Sequence, residues 1–423
     1  MQKSKKSYFK PVFYDELKKD MIVYLKRKDG TIEYVDYNLN YHTTDNKIPM
    51  QHKHVYQLVD GYTCDENGLT DYMHTLQRNI KEMFCESKLM FGKGLLYTQG
   101  FSHNSSTMEI FKQITDPKLY EYIEHPDLIE STWMESNYNG GLQYCNPQTA
   151  QSYSYDYKSH YPTCLIDRDF CISSKRGSEI ILDKIPDDLY MGYGYIKCKI
   201  ISTDPNIKKV FSFSPNHIYT DIMVMFAFEL QSKFKFNISI ELIQDGKPNA
   251  YVYNADDIIE TRNIFIKHNH QLTELRKKHP KNRLFKYCLS SLWGSLCQAN
   301  KKTKTEAQLK ELNIDYDYFD AEYIIKDVCY NADGSEYVEI INQAKPYLHN
   351  LSRIKAYLSS FTRIKTARLA LKNLGQVIRI HTDCVTFTEP LKNYDKITGL
   401  CYEDKSSGLI KWTNVNDYQK IQE

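Results

Sequence analysis

The sequence predicts an α+β protein with more than one domain. The chain has 423 residues, which is longer than a single compact domain usually is. Hydrophobic residues make up 41% and charged residues 26% of it, so most of the chain can form packed cores. Strand-like segments dominate one stretch and helix-like segments the next, and no internal repeat is visible, which excludes a solenoid.

The first half of the chain predicts a small lobe followed by a sheet. Residues 1 to 130 mix short strands with helical patterns, and an Asp-Gly turn at Asp29 and Gly30 joins two of the strands. Residues 131 to 255 carry β-branched and aromatic runs with turn residues between them. We therefore expect an N-terminal α+β lobe and then a region in which strands dominate.

The second half changes character. Residues 256 to 300 follow a helical pattern broken by one proline, which predicts two helices joined by a tight turn. Residues 301 to 345 predict a β-rich insertion with a turn at the segment NADGS. Residues 346 to 423 open with a long amphipathic helix that starts at Pro346 and ends near Gly375, and strands follow it.

Charge points to a local anion-binding surface. The net charge is only +2, so no global field favours a polyanionic partner. Between Thr261 and Thr305, however, eleven lysines and arginines stand against one acid, Glu274. A solvated charged face explains many such runs, but this imbalance favours an anionic partner.

The cysteines and the apolar runs predict an intracellular protein. The 11 cysteines contain no CxxC pair, so we interpret them as reduced thiols. The longest apolar run, Ile222 to Phe228, is too short to cross a bilayer, and the basic N-terminus is not followed by an apolar segment. We expect a reducing compartment and no membrane partner.

The stretch VIRIHTDCVTF contains one carboxylate, Asp383, within a β-like run. A turn-forming aspartate, a metal ligand and half of a two-carboxylate site are the alternatives. The candidate partner is Asp156, which ends the aromatic strand of YSYDYKSHYPT and precedes a segment stopped by Pro162. Carboxylates on two strand ends can hold divalent cations, and magnesium suits them because substrate phosphates and water complete its coordination. A zinc site from His381 and Cys384 is the competing interpretation.

The basic region holds the third candidate element. In NRLFKYCLSSLWGSLCQ, helical spacing places Lys286, Ser290 and Gly294 on one stripe, with leucines on another face. The lysine would meet phosphate oxygens as a point charge, and the glycine would let a flat base approach the backbone. An amphipathic surface helix with an incidental glycine is the alternative.

Together these segments resemble motifs A, B and C of the family B DNA polymerases. DYKSHYP resembles the pattern Asp-x-x-Ser-Leu-Tyr-Pro, KYCLSSLWG resembles Lys-x-x-x-Asn-Ser-x-Tyr-Gly, and HTDC resembles the Asp-Thr-Asp hairpin. Upstream, NYNGGLQY is similar to the Tyr-x-Gly-Gly motif that precedes motif A. The order of the four motifs over residues 133 to 412, and the gaps after motifs A and B, resemble the protein-primed subgroup of phages, linear plasmids and viral elements.

The resemblance implies a polymerase palm with helical-hairpin fingers. Residues 131–255 and 346–423 would form the palm, residues 256–300 the fingers and residues 301–345 an insertion. No Asp-x-Glu motif occurs in residues 1–137, so we expect the exonuclease to be absent, and the thumb as well.

The resemblance also assigns roles residue by residue. Asp156 and Asp383 would be catalytic and would bind metal with the Tyr157 carbonyl. The residues expected to bind the nucleotide are Ser159, His160, Tyr161, Arg276, Lys281, Lys286, Ser290 and Gly294, with Tyr161 as the gate that selects deoxynucleotides. The residues expected to contact template or primer DNA are Tyr138, Gly140, Gly141, Thr382 and Lys411. Motif C normally has aspartate at His381, and motif B departs at Ser290, Ser291 and Trp293.

The implied activity is template-directed DNA synthesis. Nucleotides would pass from dNTPs to a primer hydroxyl with two Mg²⁺ ions, or Mn²⁺ in their place, in the host cytoplasm or at a viral replication site. A terminal protein would act as primer, and a separate chain would supply a thumb or an exonuclease. The alternative is an accessory subunit that keeps the fold, binds nucleic acid and has weak catalysis.

Overall fold

The structure is a computed structural model that describes residues 11–14, 21–26, 31–36, 38–45, 54–58, 66–97, 103–137, 140–305, 323–330 and 336–421. The turns predicted at Asp29 and Gly30 and at NADGS lie outside the described residues. The chain divides into two compact units, residues 1–116 with 267–295 and residues 117–266 with 296–423.

The N-terminal part of the first unit combines two small sheets with two helices. Its strands are β1 (Pro11–Tyr14), β2 (Met21–Lys26), β3 (Thr31–Val35), β4 (Tyr41–Asp45), β5 (His54–Leu58) and β6 (Gly94–Tyr97), and its helices are α1 (Glu66–Phe91) and α2 (His103–Ile114). Strands β4, β3, β2 and β5 form one sheet in that order, with β2 and β5 parallel, and β1 pairs with β6. The predicted small α+β lobe is therefore present.

The second unit begins with strands and short helices. Its first elements are α3 (Leu128–Ser136), β7 (Gln143–Cys145), β8 (Gln148–Tyr157), α4 (His160–Leu165), β9 (Cys171–Ser173), β10 (Ser178–Ile180), β11 (Gly194–Ser202), β12 (Ile218–Thr220), α5 (Asp221–Ser232), β13 (Ile238–Leu242), β14 (Ala250–Val252) and β15 (Ile258–Glu260). Strands β10, β14, β11 and β12 pair in that order, β13 also pairs with β11, and β15 pairs with β9. The long apolar run lies in α5, a buried helix within this strand-rich region.

The basic region forms the predicted pair of helices and then breaks once more. Helix α6 spans Arg262–Lys278, α7 spans Arg283–Ser290 and α8 spans Leu292–Leu296. Asn282 caps α7 because its side chain accepts a hydrogen bond from the Leu284 amide at 3.0 Å. The helix is interrupted at Ser291, so the predicted stripe is divided between α7 and α8.

The C-terminal part completes the second unit. Its elements are β16 (Lys301–Lys304), β17 (Tyr323–Tyr330), β18 (Glu336–Asn342), α9 (Ile354–Leu371), β19 (Val377–His381), β20 (Cys384–Phe387), β21 (Leu400–Tyr402), β22 (Gly408–Trp412) and β23 (Tyr418–Lys420). Strands β16, β18 and β17 form a three-stranded sheet. Helix α9 starts later than predicted, because a 3₁₀ turn over Asn350–Arg353 precedes it.

A seven-stranded antiparallel sheet carries the candidate site. Its order is β23, β22, β8, β20, β19 and β7, with β21 also paired to β8. Tyr155, Val385 and Phe387 from its central strands are at most 2% exposed and share one core with residues of α5 and α9. The predicted α+β fold, an antiparallel sheet with helices beside it, is confirmed. None of the helices in the described part of the chain is long and apolar enough to cross a membrane.

Candidate active site

The two candidate aspartates lie on neighbouring backbone segments at one end of the seven-stranded sheet. Asp156 is near the end of β8, and Asp383 is in the two-residue turn between β19 and β20. Strands β8 and β20 are antiparallel with Asp156 opposite Cys384, and the Tyr157 amide donates to the Asp383 carbonyl at 3.1 Å. Paired residues of antiparallel strands have Cα atoms about 4.5–5.5 Å apart. The ladder therefore brings together two acids that are distant in sequence.

The Cys384 thiol lies close enough to Asp156 and Asp383 for both carboxylate charges to affect its pKa. Burial raises its pKa to about 12, and the charges of Asp156 and Asp383 add to this rise. The thiol is therefore protonated at neutral pH and is a poor metal ligand. Within the described residues, no group of three or more His, Cys, Asp or Glu side chains is placed to hold a metal ion, so the zinc interpretation finds no further ligand there.

The turn that carries Asp383 is strained and supported. Thr382 has φ of 60°, a conformation that costs a β-branched residue about 1–3 kcal/mol. Its amide donates to the Leu142 carbonyl at 2.9 Å, and its carbonyl accepts from the Thr366 hydroxyl at 2.8 Å. Strain of this kind persists only where the surroundings fix it.

Of the two glycines upstream of motif A, Gly141 packs against this turn and Gly140 is held by α9. A Cβ on Gly141 would lie 2.9 Å from Thr382 Oγ1 and 3.2 Å from its Cα, so only glycine fits without a shift of the turn. The Gly140 carbonyl accepts from Arg363 of α9 at 2.7 Å. Tyr138, the third predicted residue of this motif, lies outside the described residues.

The segment after Asp156 folds back onto α9. Ser159 has φ of 51° and precedes the short helix α4. The His160 ring is 4% exposed, stacks on the Tyr157 ring with centroids 4.8 Å apart, and lies 3.2 Å from the Thr362 carbonyl through Nε2. The His160 side chain is thus a packing group, which leaves only its backbone amide for the predicted nucleotide contact.

Tyr161 lies close to Asp383. Burial raises the pKa of its phenol, the Asp383 carboxylate raises it further, and a hydrogen bond with Thr362 lowers it. An aromatic ring held beside a carboxylate and anchored at its hydroxyl is a rigid plate, as the gate role requires. That role is a prediction that the structure leaves open.

Arg379 holds the ring of His381. The guanidinium Nη2 lies 3.1 Å from His381 Nδ1, and Nε donates to the Val415 carbonyl at 2.7 Å. The guanidinium also stacks on the Trp412 ring, 4.9 Å from its centroid. Because guanidinium can only donate, Nδ1 accepts and Nε2 carries the ring proton. Burial lowers the pKa of His381, and Arg379 lowers it further.

The first unit presents the predicted motif B residues on an exposed helix face. Lys286 and Ser290 are exposed on α7, whereas Leu284, Phe285, Cys288 and Leu289 are buried on its other side. Gly294 is exposed on α8, and a Cβ added to it would meet no atom within 4 Å. Lys281 is exposed, and burial lowers the pKa of the half-buried Arg276.

Comparison with known families decides the identity of the chain. Residues 1–383 match the family described as DNA polymerase type B, organellar and viral. The chain belongs to this type B DNA polymerase family. The matched range contains motifs A and B and ends at Asp383, so the family resemblance predicted from the four motifs is confirmed.

Solved structures of Phi29 DNA polymerase share the fold. Phi29 DNA polymerase complexed with single-stranded DNA has a TM-score of 0.54 at 13% identity, over 88% of this chain and 61% of that chain. The post-translocation complex of Phi29 DNA polymerase with primer-template DNA gives 0.55 at 12% identity, with the same coverage. The orthorhombic crystal form gives 0.51 at 14%, over 85% and 61%. The chain thus spans about three-fifths of the length of these polymerases. No curated protein matches the sequence.

Three residues around the two aspartates were not predicted from the sequence. Thr366, Arg363 and Arg379 support the Thr382 turn, Gly140 and His381, respectively. The sequence offered only a weak indication of each residue, since a polar side chain within an apolar helix or strand needs a hydrogen-bond partner. The partners could not be identified, because Arg363 and Gly140 are 223 residues apart. Lys411, which was predicted, is exposed on β22.

Proposed function

We propose that the chain catalyses template-directed DNA synthesis, in which dNTPs add to a primer hydroxyl. The observation that carries the proposal is the placement of Asp156 near the end of β8 beside Asp383 in the turn that enters the antiparallel strand β20, with the Tyr157 amide hydrogen-bonded to the Asp383 carbonyl. Family membership supports it. Nothing in the fold favours the alternative of a catalytically weak accessory subunit.

The donor atoms at this end of the sheet fit magnesium. The Asp156 and Asp383 carboxylates, together with the Tyr157 carbonyl, are hard oxygen ligands, and Mg²⁺ commonly binds through one or two carboxylates plus substrate phosphates. Mn²⁺ accepts the same ligands. When bound, two such ions supply Lewis acidity to the attacking and leaving oxygens of the transfer.

The chain's own residues would position the substrates. The Asp156 and Asp383 carboxylates hold negative charge where the ions bind, and the Ser159 and His160 amides face the triphosphate. The Tyr161 ring occupies the space of a ribose 2′-hydroxyl. Lys286, with Arg276 and Lys281, contributes positive charge to the phosphates, and Ser290 with Gly294 borders the new base pair.

The DNA contacts belong to the same proposal. The Phi29 structures hold single-stranded DNA and primer-template DNA, and we propose template and primer DNA as partners of this chain. Gly140, Gly141, Thr382 and Lys411, together with Tyr138, would contact these strands. The palm (131–255 and 346–423), the fingers (256–300), the insertion (301–345) and the N-terminal lobe (1–130) are proposed functional divisions.

Priming by a protein is a finer part of the proposal. A hydroxyl-bearing side chain of a terminal protein would replace the primer hydroxyl, and another chain would supply thumb or exonuclease. An intracellular, reducing location is proposed because the cysteines in the described part of the chain form no disulfide bonds. Cys164 and Cys198, for example, are buried free thiols.

Primer extension tests the proposal. The purified full chain, given a primed template, dNTPs and Mg²⁺, is expected to lengthen the primer. Asp156→Asn and Asp383→Asn should each reduce the rate by about a thousandfold, because each removes a negatively charged oxygen ligand. Asp188→Asn, at an exposed position, is the matched control.

Two results would contradict the proposal. One is a wild-type chain that fails to extend the primer with either Mg²⁺ or Mn²⁺. The other is extension that survives in both aspartate variants at the rate of the Asp188→Asn control.

A further inference from the structure

The turn before Asp383 is held by a threonine from a different element. Thr366 lies on α9 with no exposed surface, and its hydroxyl donates to the Thr382 carbonyl at 2.8 Å. A threonine within a helix commonly donates to its own helix, as Thr362 does to the Leu358 carbonyl at 2.9 Å. Thr366 instead donates to a residue beyond its own helix.

A buried histidine provides the next link. His160 Nε2 lies 3.2 Å from the Thr362 carbonyl and 3.5 Å from Thr366 Oγ1. Because a carbonyl only accepts, Nε2 carries the ring proton and donates it to the Thr362 carbonyl, with the Thr366 hydroxyl oxygen as its second, longer contact.

The hydrogen-bond directions therefore agree along the whole connection. The single His160 Nε2 proton is shared between the Thr362 carbonyl at 3.2 Å and Thr366 Oγ1 at 3.5 Å, and the Thr366 hydroxyl proton is directed to the Thr382 carbonyl at 2.8 Å. Hydrogen bonds in such a chain polarise and strengthen one another. The connection begins in the segment after Asp156 and ends at the residue before Asp383, so it joins the two halves of the carboxylate pair through α9.

We propose that Thr366 is a positioning residue of the polymerase site: oriented by His160, its hydroxyl holds the strained Thr382 carbonyl and thereby fixes Asp383 relative to Asp156. This inference rests on the proposed function. Thr366 itself touches neither metal nor substrate in this account. Its effect passes through Thr382 and its neighbour Asp383.

The kinetic test uses an isosteric change. Thr366→Val keeps the volume and removes the hydroxyl, so kcat for single-nucleotide addition should fall about tenfold, the worth of one buried hydrogen bond, while KM for dNTP stays within about twofold. Thr366→Ser restores the hydroxyl and should restore kcat. Thr132→Val removes a hydroxyl that donates to the Leu128 carbonyl of its own helix at 2.9 Å, and serves as the control.

A double variant tests the link to His160. His160→Leu should lower kcat about threefold, because it removes the donor that orients the Thr366 hydroxyl. Once Thr366 is valine, the same change should have little further effect, so the two effects should not add. Additive effects would overturn the connection.

Hydrogen exchange gives a readout that does not depend on activity. In the full chain, Thr366→Val should accelerate deuterium uptake about tenfold in the peptide covering residues 377–387, whereas Thr366→Ser and Thr132→Val should leave it unchanged. Unchanged uptake in Thr366→Val would overturn the positioning role, whether or not the chain extends primers. If uptake rises in Thr366→Val but the wild type extends no primer, the proposed function fails, whereas the hold of Thr366 on the turn before Asp383 stands.

Discussion

The carboxylate end of the seven-stranded sheet and the exposed face of α7 and α8 are built in different ways. The first joins Asp156 and Asp383 through a strand ladder, and buried supports on α9 hold its turn. The second presents Lys286 and Ser290 through helical spacing alone, with solvent on their side. Changes at the sheet end should therefore alter the geometry of catalysis, whereas changes on the helix face should alter substrate affinity and leave the fold intact.

Replacing Lys286 tests the helix-face half of this comparison. Lys286→Ala should lower kcat/KM for dNTP about 10- to 100-fold, because it removes the charged hydrogen bond to phosphate that we propose for this lysine. The melting temperature should stay within about 2 °C of the wild type, since the side chain is exposed.

Arg283→Ala, also exposed on α7, is the control and should change kcat/KM little. Equal losses in the two variants would show that general positive charge matters here, and would remove the specific role of Lys286.

Two glycines sharpen the comparison directly. Gly141→Ala places a methyl group 2.9 Å from Thr382 Oγ1, so kcat should fall about tenfold and stability by about 1–3 kcal/mol. Gly294→Ala meets no atom within 4 Å and should leave stability equal or up to about 1 kcal/mol higher, since alanine favours the helix.

For Gly294→Ala we expect a higher KM for dNTP. In the proposed function Gly294 borders the new base pair, so the added methyl group would crowd the nucleotide. Steady-state kinetics and thermal unfolding separate the two variants. If both variants lost the same activity at the same melting temperature, the contrast between a crowded turn and an open helix face would be wrong.

A buried histidine on α6 predicts that the stability of the fold depends on pH. His268 is 1% exposed on α6 and its ring meets the Phe111 ring edge-on at 5.7 Å. Burial lowers its pKa from 6.5 to about 3. Between these two pH values the unfolded chain binds a proton at this histidine and the folded chain does not. The contribution of the neutral His268 ring to the free energy of unfolding is complete above pH 6.5. It is lost as pH falls, by about 1.4 kcal/mol per pH unit between pH 6 and 4.

His268→Leu should remove this part of the slope in urea unfolding measured between pH 4 and 7. His270→Leu, at an exposed position of the same helix, is the control. An unchanged slope in His268→Leu would mean that the ring is hydrated or protonated in the folded protein.

The sequence predicted those parts of the molecule that follow from local pattern. Strand β8, the hairpin around Asp383 and the break after α6 were anticipated, because alternation and a proline define them. Helix α5 was missed, since its run from Ile222 to Phe228 is apolar at the exposed positions Met225 and Phe228 as well as at the buried ones, so no alternation of polar and apolar residues marks it. The start of α9 was placed too early, because a 3₁₀ turn is not distinguished from the helix by pattern.

The supports of the site could not be predicted. Asp156 and Asp383 were singled out because carboxylates at strand ends carry recognisable chemistry. Thr366 has no such signature, and its role depends on an acceptor in another element. His160 was predicted to contact nucleotide through its amide, but its ring turned out to be buried against Tyr157. Tertiary contacts of this kind follow only from the folded chain.

Single-turnover addition of one dNTP to a primed template, with the full chain in excess and Mg²⁺ present, tests the central claim most directly. Asp156 and Asp383 act as one unit in this account, so Asp156→Asn, Asp383→Asn and the double variant should all show about the same thousandfold loss. Independent losses that multiply in the double variant, or a rate in either single variant equal to wild type, would contradict it.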